Sequence, residues 1–231
     1  MHPQAIIHDV EQGTPEWHAA RNGILTASEM NLCLTPTLKV ANNEKTRQHV
    51  YELAAQRISQ YTEPTYIGDA MLRGHSDEIK ARDAYSDNYA PVDELGFITR
   101  DVGGVIIGYS PDGAGVMGGF GIECKSRVQK YQVQVITSDE IPTEHILQLQ
   151  TGLLVTGWDY IDYLSYSGGL PMWRIRSEPI PEYQDAILNA ALEFEGKVQE
   201  VIEAYHDRLA SCDVVIETER EEPETEVYFD G

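Results

Sequence analysis

The chain has few cysteines, no long apolar run and no surplus of positive charge, and each shortage removes a class of protein. Cys33, Cys124 and Cys212 form no C-x-x-C pair and leave an odd thiol, which argues against a disulfide scaffold or a zinc site. A reducing cytoplasm suits such thiols. The seven histidines show no H-x-x-x-H or other zinc spacing. No stretch is long and apolar enough to span a bilayer, and the start, M-H-P-Q-A-I-I-H-D-V-E, lacks the basic and apolar regions of a secretion signal. Seventeen Lys and Arg against 38 Asp and Glu give a formal charge of −21, which excludes non-specific coating of a polyanion at ordinary salt. Residues 217–231 carry seven of those acids with Arg220 as the one cation, yet the remainder is still acidic. On charge alone, solubility is the favoured reading. The sharper one is that any nucleic acid must enter a restricted basic track, for which Arg21, Arg73, Lys125, Arg127 and Lys130 are candidates.

What is present fits one enzyme-sized unit. With 231 residues, 42% of them hydrophobic, the chain can bury a sizeable core, and residues 1–212 are expected to form a single domain followed by an acidic, mobile tail over 213–231. Thr14-Pro15-Glu16 reads as an N-cap with proline at the first helical position, opening a short helix through Arg21. Thr26-Ala27-Ser28 opens another. Helical spacing marks residues 44–61 and 69–89, and Val105-Ile106-Ile107 begins a region of short strands and glycine turns. A helix over 143–156, strands over 159–166 and 172–176, and a helix from 181 to about 209 complete the order. Residues 34–47, with Lys39, Lys45 and Arg47, read as a solvated linker or a loop facing a ligand. The succession of elements is that of an α/β sandwich around a central mixed sheet.

The chemistry concentrates between Tyr109 and Arg127, Y-S-P-D-G-A-G-V-M-G-G-F-G-I-E-C-K-S-R. Residues 121–126 read as a buried strand, so Glu123 and Lys125 share one face and Cys124 points to the other. Asp112 stands at a proline-glycine turn, and the glycine-rich connection lets a second strand return Glu123 toward it. Two carboxylates and an amine suit Mg²⁺, which keeps several waters and needs few protein oxygens. Lysine beside them orients the attacking water or, if burial depresses its pKa, takes its proton. By itself this D…E-x-K spacing is common, and an ordinary strand pair with Asp112 turning the chain is the stronger reading.

Two flanking segments change that balance. W-H-A-A-R-N-G-I-L-T-A-S, from Trp17 to Ser28, and R-G-H-S-D-E-I-K-A-R, from Arg73 to Arg82, stand in order before S-P-D-G and E-C-K. Together they resemble the YqaJ-type viral recombinases, over roughly residues 10–180. The resemblance implies the restriction-endonuclease-like, or PD-(D/E)xK, fold, with helices flanking the central mixed sheet. It implies metal ligands at Glu78, Asp112, Glu123 and the Cys124 carbonyl, a catalytic lysine at Lys125 and a glutamine near the metal at Gln148. It also implies that Arg21 and Ser28 hold the terminal 5′ phosphate. Without it, Glu78 reads as an i, i+4 salt bridge with Arg82, and Arg21 and Ser28 as a solvated arginine and an N-cap. Trp17 is a packing anchor on either reading.

The implied activity is a Mg²⁺-dependent exonuclease, two ions per site with Mn²⁺ as a substitute. It would digest linear double-stranded DNA 5′ to 3′ into mononucleotides and leave 3′ single-stranded tails for recombination. The implied partners are duplex ends, further copies of the chain in a homotrimeric ring, and a single-strand annealing protein; no membrane is involved. A selective endonuclease and a non-catalytic DNA-end or protein-binding module remain alternatives. Two departures stand out: His145 replaces a family tyrosine, so no catalytic role is assigned to it, and the Asp112–Glu123 connection is one residue longer than the pattern.

Overall fold

A computed structural model describes residues 1–63 and 68–220. The fold is mixed α/β, with helices flanking mixed sheets, as the order of elements implies. The strands divide into two ladders. The first has the order β1 (Ala5–His8), β4 (Phe97–Asp101), β5 (Ile106–Tyr109), β2 (Leu25–Thr26), and is antiparallel except for β2 beside β5. The second has the order β3 (Val92–Asp93), β6 (Gly113–Gly115), β7 (Phe120–Ser126), β8 (Tyr160–Tyr166), β9 (Trp173–Ser177), with only β7 and β8 parallel. The chain passes from one ladder to the other through Ser110-Pro111-Asp112, where proline has no N–H to donate to a ladder.

Local chemistry sets three of the helix starts. Thr14 accepts a hydrogen bond from the Trp17 amide at 3.3 Å, and Pro15 starts α1 (Pro15–Arg21). At Thr26 a capping box opens a short turn: its amide and hydroxyl both donate to Glu29 Oε2, at 2.9 and 2.7 Å. The turn continues into α2 (Met30–Cys33). Asn43 caps α3 (Glu44–Ser59) through the Thr46 amide, 3.1 Å away. Leu34 and Ala41, in the segment expected to be solvated, are buried. The remaining helices are α4 (Asp69–Asn88), α5 (Gln129–Ser138), α6 (Thr143–Thr156) and α7 (Pro181–Ala210). Residues 213–220 have no helix or strand, and the rest of the expected tail, 221–231, lies outside the described residues. No helix among the described residues is long and apolar enough to cross a membrane.

The packing explains why the two ladders behave as one frame. Helix α6 lies on β4 and β5 of the first ladder and on β8 of the second, while α4 covers β7 and β8 from elsewhere. The larger core gathers Leu25, Ile98, Ile107, Tyr109, Leu149, Ile161 and Phe194; the smaller holds Ala81, Tyr85, Ile122, Cys124 and Leu164. Burying each large apolar side chain contributes about 1.5–3 kcal/mol. Arg57 adds a two-pronged pair with Glu195, at 2.6 and 2.8 Å, fastening α3 to α7. Gly152 sets the closest approach: a Cβ there would stand 2.8 Å from the Tyr109 ring. Glycine there leaves room for the Tyr109 ring to lie against α6.

Candidate active site

Strand β7 divides its side chains as period-two geometry requires. Ile122 and Cys124 enter the smaller core, where burial, and then nearby Asp112, raise the Cys124 thiol and keep it neutral. Glu123 and Lys125 face the other way. Glu123 is 1% exposed, and its two oxygens are bonded from three elements. Oε1 accepts from Lys125 Nζ at 2.7 Å and from Gln148 Nε2 at 2.5 Å; Oε2 accepts from the Tyr109 hydroxyl at 2.9 Å. Gly113 pairs with Ile122, which places Asp112 beside Glu123 across the β6–β7 hairpin. Gly118 and Gly119, at φ +77° and +80°, make the return turn that a residue with a Cβ disfavours. The longer glycine connection therefore still closes a hairpin. Asp112 Oδ2 accepts the Cys124 amide at 2.6 Å.

The electrostatics of this cluster are lopsided. Burial, followed by the charges of Glu123 and Glu78, lifts the Asp112 carboxyl well above the usual range. Glu78 is raised too, chiefly by burial, with Arg82 opposing and Glu123 adding to the shift. Burial by itself lowers an amine, but Glu123 and then Asp112 outweigh it at Lys125 and hold that group protonated. Both roles expected of Lys125 therefore start from an amine held in its charged form by two carboxylates. Glu78 lies 3.6 Å from Arg82 Nη1, so its i, i+4 pair exists, while the same Arg82 donates to the Asp112 carbonyl at 2.7 Å.

Among the described residues, no three acid, His or Cys side chains stand together closely enough to cage an ion by themselves. Hard carboxylate oxygens with an excess of negative charge nevertheless fit Mg²⁺, whose shell needs only one or two carboxylates beside water and phosphate. Glu123 Oε2 and Asp112 Oδ1 retain lone pairs for such a role.

Arg21 leads into the same seam. Its Nη1 donates to Ser110 Oγ at 3.2 Å and its Nη2 to Thr26 Oγ1 at 3.4 Å, and its guanidinium covers the Trp17 ring at 4.2 Å. Trp17 is itself fixed by Nε1 bonds to Gly96 O and Ser110 Oγ, both 3.1 Å. No carboxylate lies within 4 Å of Arg21 among the described residues. Ser28 is exposed, 3.1 Å from Thr26 Oγ1, and the helix cap is Thr26 instead. The structure thus brings Asp112, Glu123, Lys125, Gln148 and Cys124 together, with Glu78 behind and Arg21 and Ser28 joined through Ser110 and Thr26. Of the suggested basic track, Arg73 reaches Ser126 at 3.3 Å, and Arg127 and Lys130 both cover the Tyr131 ring, so they gather at the end of β7.

Tyr109 and Arg82 were not singled out for the site by sequence. Tyr109 opens the Y-S-P-D run, which marks its nearness to Asp112 along the chain but not its bond to Glu123. A separate cleft of about 850 Å³ lies between α3 and α7, bordered by Tyr51, Tyr61, Tyr205 and Arg220. It shares no lining residue with the cluster around Glu123.

A profile of the YqaJ-like viral recombinase domain matches residues 16–159, more than half of the chain. The chain belongs to the YqaJ-like viral recombinase family. Among solved structures, this YqaJ-family chain is similar to an alkaline exonuclease, LHK-Exo, from Laribacter hongkongensis. Identity is 28% over 85% of this chain and 98% of that one, with a TM-score of 0.73. The complex of LHK-Exo with dAMP matches equally. A phage-related exonuclease from Haemophilus somnus 129PT shares the fold at 13% identity and a TM-score of 0.52, over 78% and 96% of the two chains. No curated protein gives a match.

Proposed function

We propose that this YqaJ-family protein is a metal-dependent deoxyribonuclease that degrades linear duplex DNA from 5′ ends, releasing mononucleotides and leaving 3′ tails. The observation that carries the reading is the Asp112–Glu123–Lys125–Gln148 cluster around buried Glu123, beside an arginine with no carboxylate within 4 Å among the described residues. The complex of the similar LHK-Exo with dAMP, a nucleoside monophosphate, supports that product class.

Asp112, Glu123 and the Cys124 carbonyl are the groups that would hold Mg²⁺ or Mn²⁺, with Glu78 assisting if two ions enter. Such metal, when bound, supplies a polarised phosphoryl oxygen and a water of lowered pKa. Around it, protonated Lys125 orients the water and offsets developing negative charge, and Gln148 directs its amide at the same carboxylate. Arg21 takes the 5′ phosphate in a forked pair, with Ser28 contributing a hydroxyl. Assembly as a homotrimeric ring would let an acidic exterior enclose a basic track, and handing the 3′ tail to an annealing protein would place the activity in recombination.

The test uses linear duplexes with and without a 5′ phosphate, closed circular duplex, Mg²⁺, and the Asp112→Ala variant. The expected result is mononucleotide release from linear DNA, intact circles and an inactive variant. Absence of Mg²⁺-dependent release sinks the exonuclease reading, circle cleavage favours an endonuclease, and an active Asp112→Ala protein removes the site.

A further inference from the structure

Two buried polar groups beside Lys125, Arg127 Nε and the Tyr163 hydroxyl, have no acceptor at hydrogen-bond distance among the described residues; Ser165, on the same face of β8, can donate to the Tyr163 oxygen but leaves its O–H without an acceptor. Buried donors are normally satisfied, so an unpartnered pair next to the acid cluster asks for an acceptor from outside. Tyr163 is 0% exposed and pairs with Glu123 in the parallel β7–β8 ladder, which puts both side chains on one face. Burial raises the tyrosine to about 12, so the hydroxyl remains a proton donor.

Arg127 lies two residues beyond Lys125. Its Nη1 donates to His145 Nε2 at 3.0 Å, and the imidazole stacks on Tyr163 with ring centroids 5.6 Å apart. Burial, then the charges of Lys125 and Arg127, push His145 down to about 3, leaving a neutral ring that accepts from Arg127. Among the described residues, the one carboxylate within 4 Å of Arg127 is Glu144, 3.5 Å away on a side chain 59% exposed, a weak counter-charge. Lys125 is already committed to Glu123 at 2.7 Å. Arg21, by contrast, acts through Ser110, two residues before Asp112, so the acids stand between the two arginines along the connected backbone.

We propose that Arg127 and Tyr163, backed by His145, form an anion subsite for the next phosphate of the cleaved strand, on the 3′ side of the bond being hydrolysed. The proposal rests on the nuclease reading above. A guanidinium with a hydroxyl donor beside it suits a phosphate diester. Gripping the strand on both sides of the scissile bond fixes the angle of attack. Arg127 and Tyr163 are positioning residues in this scheme, and His145 keeps the guanidinium aimed.

The test places a single neutral methylphosphonate at successive linkages from the 5′ end of a linear duplex. Affinity is measured with Ca²⁺ and single-turnover cleavage with Mg²⁺, for the unmodified protein, Arg127→Gln and Tyr163→Phe. The unmodified protein should lose about 10-fold at the second linkage from the end, and the same methylphosphonate should cost Arg127→Gln less than about 2-fold. Losses that simply add, or that fall at another linkage, overturn the subsite. Tyr163→Phe keeps the ring on His145 and deletes an unpartnered hydroxyl, so it should fold normally and show a reduced penalty; a full penalty removes Tyr163 from the subsite. If no duplex is cleaved, the nuclease reading fails by itself, and the Ca²⁺ affinities still decide the subsite.

Discussion

Two aspartates, Asp112 and Asp162, are held within the same five-stranded region and meet opposite electrostatic fates. Asp162, on β8, is 0% exposed and accepts from Arg174 Nη1, Arg176 Nε and the Tyr85 hydroxyl, at 3.0, 3.0 and 2.7 Å. Burial opposes its charge, but the Arg176, Tyr85 and Arg174 bonds prevail and lower its pKa. Asp112 has one amide donor and two acidic neighbours, and its pKa rises. Asp162 is a finished structural tie. Asp112 stores unbalanced charge, which suits a group awaiting a cation.

The largest expected contrast is in activity. Asp112→Asn should lower DNA hydrolysis by at least about 10³-fold, a loss on the scale of removing a main electrostatic group, while Asp162→Asn should retain turnover in the fraction that stays folded. Single-turnover assays on linear duplex check both. A fully active Asp112→Asn protein would erase the distinction.

Stability should reverse the order. Asp162→Asn strands two arginines and should cost about 2–3 kcal/mol, discounted because both are partly exposed. Asp112→Asn should leave the melting temperature unchanged or raise it at neutral pH. The pH dependence carries opposite signs. Asp162, with its depressed folded pKa, contributes stability above the unfolded value of about 3.9 and loses it as pH falls through the folded value. Asp112, with its raised folded pKa, contributes most below the unfolded value and loses stability as pH rises through the folded one. Melting temperatures from pH 3 upward for the two variants should diverge accordingly.

Metal should act on one of the pair alone. Mg²⁺ at about 100 times its Kd should stabilise the unmodified and Asp162→Asn proteins by about 2.7 kcal/mol, and Asp112→Asn far less. Equal shifts in all three would detach the metal from Asp112. The smallest effect belongs to residues 221–231. Removing them, with Arg220 left on the Tyr61 ring at 3.6 Å, should tighten DNA binding about 2–5-fold at low salt and hardly at all at high salt.

Short-range chemistry made much of this readable. The strand carrying Glu123 and Lys125, the Thr14 cap and the helix over 143–156 follow from spacing and turn residues within a few positions. Helix α5 escaped notice because Tyr131, Val133 and Val135 alternate with polar residues and mimic a strand, while tertiary burial of Gln132 and Val135 favours the helix. Ser28 was weighed as a cap when Thr26 holds that place, since the decisive partner, Glu29, lies three residues on. Tyr109 carried no sign of its bond to Glu123. That bond requires two ladders and α6 to meet.

By itself, the sequence determined the period of each element, the acidic character of the chain and the presence of an aspartate, a glutamate and a lysine at spacing that a hairpin can unite. Backbone geometry acts over a few residues, so those features needed no fold. The tertiary structure decided which charges are balanced: it gave Asp162 two arginines and a tyrosine, left Arg21 with no carboxylate within 4 Å among the described residues, and set Arg127 and Tyr163 beside Lys125 with donors to spare. Desolvation and Coulomb forces depend on distance through space, and the packing of α4 and α6 against the two ladders sets those distances.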